Sequence, residues 1–204
     1  MTKEEDDFKV KLISLSEAYT AGIKVAKKIN SSSLSFDAIV GIARGGMPPA
    51  RFLCDLLNID TLYSIQVRHY SEGAKQKNTT EISNKNTDNL EGKKILLVDD
   101  INDSGDSLKA AHEELSQPVA IKTAVLHEKE NTQFAADYVG ETIEEWRWCI
   151  YQWAAAEDII AFLNKGDMLK ASHGRMKEFL KKQYDLDIGS DLLENLLNFE
   201  QNYT

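Results

Sequence analysis

Residues Leu96 to Leu108 read LLVDDINDSGDSL. The apolar run that begins at Ile95 ends in two adjacent carboxylates, Asp99 and Asp100, and the turn after them carries two more, Asp103 and Asp106. A short, almost wholly apolar run bounded by turn residues is the pattern of a strand covered on both faces, as in a parallel sheet. A Gly-containing turn that then opens a helix points free backbone N–H groups at one spot, at the positive end of the helix dipole, which suits an anion. Ser104 and Ser107 add hydroxyl donors, and Gly105 allows backbone geometry that a Cβ would obstruct. Asp99 and Asp100 would repel a bare phosphate. They suit hydroxyl donors, or a hydrated Mg²⁺, which takes carboxylate oxygens and water. The stretch therefore asks for a ligand with an anionic end, a diol and a group that recruits a cation.

Outward from this turn, strands alternate with helices. SEAYTAGIKVAKKIN spaces Ala18, Gly22, Val25 and Ile29 as one helical face, with Ser16 as the expected N-cap. FDAIVGIA reads as a buried strand leaving into Arg44-Gly45-Gly46, and MPPARFLCDLLN as a helix with prolines in its first turn. TLYSIQV and VAIKTAVL are further strands, SLKAAHEEL is a helix closed by Pro118, and ADYVGETIEEWRWCIYQW holds two more β segments. This order predicts an α/β fold: a central, mostly parallel twisted sheet with helices on both faces. Such sheets bind ligands at the carboxyl ends of their strands, so the loops after IVGIA and ILLV are expected at one crevice. Ser71–Gly92 is a long polar stretch, expected to be a mobile functional loop or a hairpin excursion.

The 204 residues suffice for one sizeable domain with an appendage. A net charge of −9 argues against a general affinity for nucleic acid, because phosphate backbones are bound with Lys and Arg. No run approaches a membrane span, and MTKEEDDFKV lacks the apolar core of a signal peptide. Cys54 and Cys149 stand apart in apolar stretches without metal-ligand spacing, which fits reduced thiols and a cytoplasmic protein.

Phosphorylated ribose activated by diphosphate has the required parts in the required order. ILLVDDINDSGDSL resembles the phosphoribosyl-diphosphate signature of the type I phosphoribosyltransferases, and VGIARGG resembles that family's diphosphate loop. Order and spacing agree, and the resemblance spans about Phe36 to Trp153. Two other patterns fail. An EF-hand starting at Asp100 has Ala111 where a bidentate Glu is required. A receiver domain needs its acids near the N-terminus and an Asp ending a later strand, yet VAIKTAVL runs into His127-Glu128-Lys129.

The resemblance implies a residue-by-residue assignment. Arg44 and Gly45 take the diphosphate, with the peptide between them expected to be cis. Asp99 and Asp100 hold the ribose hydroxyls and Mg²⁺. Asp103 is the general base, and Asp103, Ser104, Gly105, Asp106 and Ser107 bind the phosphoribosyl group. The polar stretch 70–92 becomes the catalytic lid, opened by Tyr70 and Ser71, with Lys75 and Lys77 as candidates to neutralise the diphosphate. HEKENTQFAADYVGE and WRWCIYQW resemble the purine-salvage branch, the xanthine–guanine and archaeal-type hypoxanthine enzymes. There Lys129 meets the six-position oxygen, Trp148 stacks on the base, and Cys149 is its backbone neighbour. Gln152 and Ala154 stand where relatives carry Pro and an acid, with Glu157 or Asp158 as possible substitutes from the next turn.

The implied activity is Mg²⁺-dependent transfer of phosphoribose from phosphoribosyl diphosphate to a 6-oxopurine (hypoxanthine, guanine or xanthine). The implied assembly is a homodimer or higher homo-oligomer, with no nucleic acid or membrane partner. A uracil or orotate enzyme and a non-catalytic phosphoribosyl-diphosphate sensor are the alternatives. The expected organisation is a phosphoribosyltransferase domain over 1–158, including a hood at 137–158, and a helical extension over 159–204.

Overall fold

The computed structural model describes residues 8–71, 78–87, 90–115 and 118–203. Its elements in chain order begin with β1 (Val10–Ile13), α1 (Leu15–Ser31), β2 (Ala38–Ala43), α2 (Met47–Leu57), β3 (Leu62–Ser71) and β4 (Asn78–Asn86). They continue with β5 (Lys94–Asn102), α3 (Asp106–Glu114), β6 (Ala120–Lys129), β7 (Tyr138–Ile143) and β8 (Trp148–Tyr151). The chain ends in three helices, α4 (Ala155–Lys165), α5 (His173–Tyr184) and α6 (Ser190–Leu197).

Residues 16–144 form one compact unit around a six-stranded sheet of order β4-β3-β2-β5-β6-β7. Every pairing in it is parallel except β3 with β4. The apolar runs explain the layers, since successive side chains on a strand point to opposite faces. On β5, Leu96 and Val98 pack with Val25 and Ile29 of α1 and Leu53 of α2. Ile95 and Leu97 pack on the other face with Leu108 and Ala111 of α3. The sheet is thus covered on both sides, as its continuous apolar strands require. The expected lid is in part a hairpin: Tyr70 pairs with Thr79 and Ser71 with Asn78. Lys75 and Lys77 lie outside the described residues.

The second unit joins the residues up to Leu15 with those from Glu145 onward. In it β1 pairs in parallel with β8, Val10 opposite Trp148. Ile150, Ile159, Leu163, Met176, Leu180 and Leu193 are among the side chains of its own buried core. The compact units therefore divide at 144/145, where the sequence suggested a boundary at 158/159. Residues 138–143 of the expected hood are β7 of the main sheet. The expected extension 159–204 shares its core with the start of the chain, because its amphipathic helices bury their apolar faces around the β1–β8 pair. Helix α1 also begins one residue before the expected Ser16 cap. Its Leu15 N–H is accepted at 2.9 Å by the side-chain oxygen of Gln152, so the cap comes from a distant residue. Among the described residues no helix is long and apolar enough to cross a membrane, and no disulfide joins the two cysteines.

Candidate functional site

At the carboxyl end of β5, Asp99 is buried while Asp100 is half-buried. The Asp100 N–H donates to Asp99 Oδ1 at 2.9 Å and the Ile101 N–H to Asp100 Oδ1 at 2.8 Å. Burial first, and the neighbouring Asp100 charge second, push the Asp99 carboxyl well above the usual carboxylate range. Two adjacent carboxylates, one of them desolvated, are a donor set that a divalent cation would relieve. Mg²⁺ fits such a pair because it draws its remaining ligands from water and substrate.

The loop after β2 lies directly against these acids, because β2 and β5 are neighbours with Gly41 opposite Val98. A Cβ on Gly45 would fall 2.5 Å from Asp100 Oδ2, and one on Gly46 would meet the carbonyls of Val98 and Ile42. Close approach of backbone requires the glycine at 46, whereas at 45 the near neighbour is the Asp100 side chain. The cis peptide is Ala43–Arg44, one residue before the expected Arg44–Gly45 bond. Arg44 itself opens the loop, and its carbonyl accepts the Met47 N–H at 3.2 Å.

The turn after β5 is held by the 128–136 segment, a structural part that HEKENTQFAADYVGE did not show in the sequence. Gly105 sits at φ 98°, where a Cβ would come within 2.7 Å of the Phe134 N. The Gln133 N–H donates to the Ser104 carbonyl at 2.9 Å. Asn102, almost fully buried, donates from Nδ2 to Glu128 Oε2 and to the Phe134 carbonyl, both at 2.8 Å. Glu128 Oε2 in turn accepts the Ala136 N–H at 2.7 Å. The Ser104 hydroxyl donates to Asp106 Oδ2 at 2.9 Å, so the turn is closed on itself as well. Ser107 is half-buried in the first turn of α3. Replacing Asn102 with Ala is expected to cost about 1–3 kcal/mol, read as a lower thermal midpoint, because buried acceptors lose their donor.

Lys129, the last residue of β6, is buried, and its ammonium is paired with the Asp103 carboxylate. Asp103 is 45% exposed, so the pair presents one buried cation and one solvent-facing anion side by side. Trp148 and Cys149 belong to the second unit, at the start of β8. Trp148 is 39% exposed, and Cys149 Sγ lies 3.7 Å from the Arg147 carbonyl. Trp153 stacks on Tyr151 at 4.6 Å, while Trp146 is exposed and meets the edge of Phe8. Of the proposed lid residues, Tyr70 and Ser71 are placed by their backbone alone.

Comparison with known proteins decides the family. A phosphoribosyl transferase domain model matches residues 14–157, most of the chain. The chain belongs to the phosphoribosyltransferase family. This phosphoribosyltransferase is 33% identical over 150 residues to a hypoxanthine-guanine phosphoribosyltransferase of Aquifex aeolicus, covering 68% of this chain and 83% of that one. The solved purine phosphoribosyltransferase of Pyrococcus horikoshii superposes with a TM-score of 0.61 at 28% identity, over 72% of this chain and 95% of that one. A shorter match, 36% over 78 residues, links it to the transcriptional regulator GfcR of Methanococcus maripaludis, over 38% of this chain and 37% of that one. The type I family, read from the two motifs and their spacing, and its purine branch, read from HEKENTQFAADYVGE and WRWCIYQW, are what the Aquifex and Pyrococcus relatives represent.

Proposed function

We propose that this phosphoribosyltransferase transfers phosphoribose from phosphoribosyl diphosphate to a 6-oxopurine, releasing diphosphate. The Lys129–Asp103 pair carries the reading. A 6-oxopurine presents a carbonyl oxygen beside the N7–H, an acceptor next to a donor, and the pair offers an ammonium donor next to a carboxylate acceptor. Adenine presents an amino group where the ammonium stands, which leaves a donor facing a donor. Uracil and orotate lack the fused-ring edge.

In this reading Asp103 takes the N7 proton as the N9–C1′ bond forms and the C1′–diphosphate bond breaks. The backbone N–H groups and hydroxyls of 104–107 hold the 5′-phosphate and so fix C1′. Asp99 and Asp100 accept from the ribose hydroxyls and hold Mg²⁺, which when bound neutralises charge on the departing diphosphate. Arg44 and the closely packed Gly45–Gly46 backbone receive that diphosphate, and the 70–92 segment excludes water. A homo-oligomer in the cytoplasm completes the proposal.

The test is diphosphate release from phosphoribosyl diphosphate with Mg²⁺, against hypoxanthine, guanine, xanthine, adenine, uracil and orotate in turn. Release is expected with 6-oxopurines and not with the other bases, and chelation of Mg²⁺ is expected to abolish it. The short match to the regulators supports a second reading, a phosphoribosyl-diphosphate sensor. Binding of phosphoribosyl diphosphate without release for any base, together with specific DNA binding at physiological salt, would favour it.

A further inference from the structure

Asn102 and Glu128 stand opposite each other at the carboxyl end of the parallel β5–β6 ladder. The next residue along each chain segment belongs to the ammonium–carboxylate pair, Asp103 after Asn102 and Lys129 after Glu128. Successive side chains on a strand point to opposite faces, so Glu128 and Lys129 leave β6 on different sides. Both hydrogens of the Asn102 amide are engaged, one by Glu128 Oε2 and one by the Phe134 carbonyl, each at 2.8 Å. Glu128 Oε2 also accepts the Ala136 N–H at 2.7 Å. One oxygen of a half-buried carboxylate therefore joins the end of β5, the end of β6 and the segment that leads into β7. Neither side chain takes part in the transfer chemistry itself.

We propose that Glu128 and Asn102 are positioning residues that set the spacing of the Lys129 ammonium and the Asp103 carboxylate to the edge of a 6-oxopurine. The proposal rests on the phosphoribosyl-transfer reading and names what fixes its base recognition. The carbonyl oxygen and N7–H of the purine are held by one rigid ring system, so the two groups that meet them need an equally fixed separation. Those groups stand on different segments, and Lys129 is the last residue of its strand. An apolar contact between the two strand ends would fill the same space, but it is non-directional and fixes no distance. A hydrogen bond is confined to a narrow range of length and angle, and one accepted by a carboxylate is about twice as strong as a neutral one. The bridge thus holds the pair from behind. Its bonds to Phe134 and Ala136 brace it against the segment that follows Lys129.

The experiment measures kcat/KM for the best-used 6-oxopurine, and KM for phosphoribosyl diphosphate, in wild type, Glu128→Gln, Glu128→Ala, Lys129→Met and the Glu128→Ala/Lys129→Met double variant. Glu128→Ala is expected to lower kcat/KM for the purine about tenfold, short of the roughly 100-fold that a misplacement by about 1 Å costs. The KM for phosphoribosyl diphosphate is expected to change little. Glu128→Gln keeps a carbonyl oxygen for Asn102 and Ala136 and is expected to stay close to wild type. In the Lys129→Met background there is no pair left to space, so Glu128→Ala is expected to add no further loss. No loss in Glu128→Ala, a loss equal with and without Lys129, a loss equal for both substrates, or a loss as large in Glu128→Gln overturns the proposal. Should Glu128→Ala not fold, Asn102→Asp replaces it: the shape is kept, two carboxylates face each other in place of the bridge, and the same outcomes decide. If wild type turns over no base, the transfer reading fails on its own. Calorimetric binding of inosine monophosphate then decides the positioning. Affinity lowered by Glu128→Ala and kept by Glu128→Gln supports it, and equal affinity in all three proteins, or no binding to wild type, overturns it.

Discussion

Asp103→Asn is expected to lower kcat about 100-fold to 10,000-fold, the range a positioned general base contributes, while the KM for phosphoribosyl diphosphate changes little. The side chain keeps its shape and one carbonyl oxygen, so it can still accept from the Lys129 ammonium. What it loses is the capacity to take a proton. The fold should tolerate the change, since Asp103 is 45% exposed and a charge there is screened by water. Asp103→Ala makes the contrast. It removes this partner of a buried ammonium, so a drop in thermal midpoint is expected on top of the lost turnover. If Asp103→Asn weakened turnover and phosphoribosyl-diphosphate binding equally, Asp103 would be a ligand of the sugar phosphate and not the base.

The parts of this molecule that the sequence displayed are those in which each strand carries its own burial pattern. AIVGIA and ILLV are continuous apolar runs, AIKTAVL ends in one, and a strand buried on both faces has no other way to look. The acidic turn was legible because charge, glycine and hydroxyls follow one another within thirteen residues. Features that depend on a partner elsewhere in the chain were not. β1 is four residues long and its partner β8 begins at Trp148, so neither strand marks the other in the sequence. Asn102 reads as a turn residue in DDINDSG, and only the return of the 128–136 segment makes it a buried junction. The tail was legible as helices, but an amphipathic face does not say what it covers. Gln152 looked like a lost proline, yet it caps a helix whose first residue is Leu15.

Adjacent glycines in the loop after β2 should fail in different ways when each is replaced by Ala, and the difference tests how the loop is built. At Gly46 the added Cβ meets backbone on every side: the carbonyls of Val98 and Ile42, and the Asp99 Cα at 2.9 Å. Backbone in the middle of a parallel sheet has nowhere to go, because β2 and β5 are paired along Ala38–Gly41. Gly46→Ala is therefore expected to destabilise the fold by about 3 kcal/mol or more, at the upper end of what overpacking costs, and to show it as a lower denaturation midpoint. At Gly45 the obstacle is the Asp100 carboxylate, the end of a side chain that can rotate away. Gly45→Ala should leave the midpoint near that of wild type. It should move a carboxylate proposed to hold Mg²⁺ and ribose, lowering kcat/KM about 100-fold, as misplacement by about 1 Å does. Added Mg²⁺ should recover part of the loss for Gly45→Ala and none for Gly46→Ala. Equal loss of stability in both variants would mean that Asp100 is locked by its hydrogen bond to Ile101. The carboxylate would then be a fixed wall of the loop, and the cation would have to be held by Asp99 and the substrate.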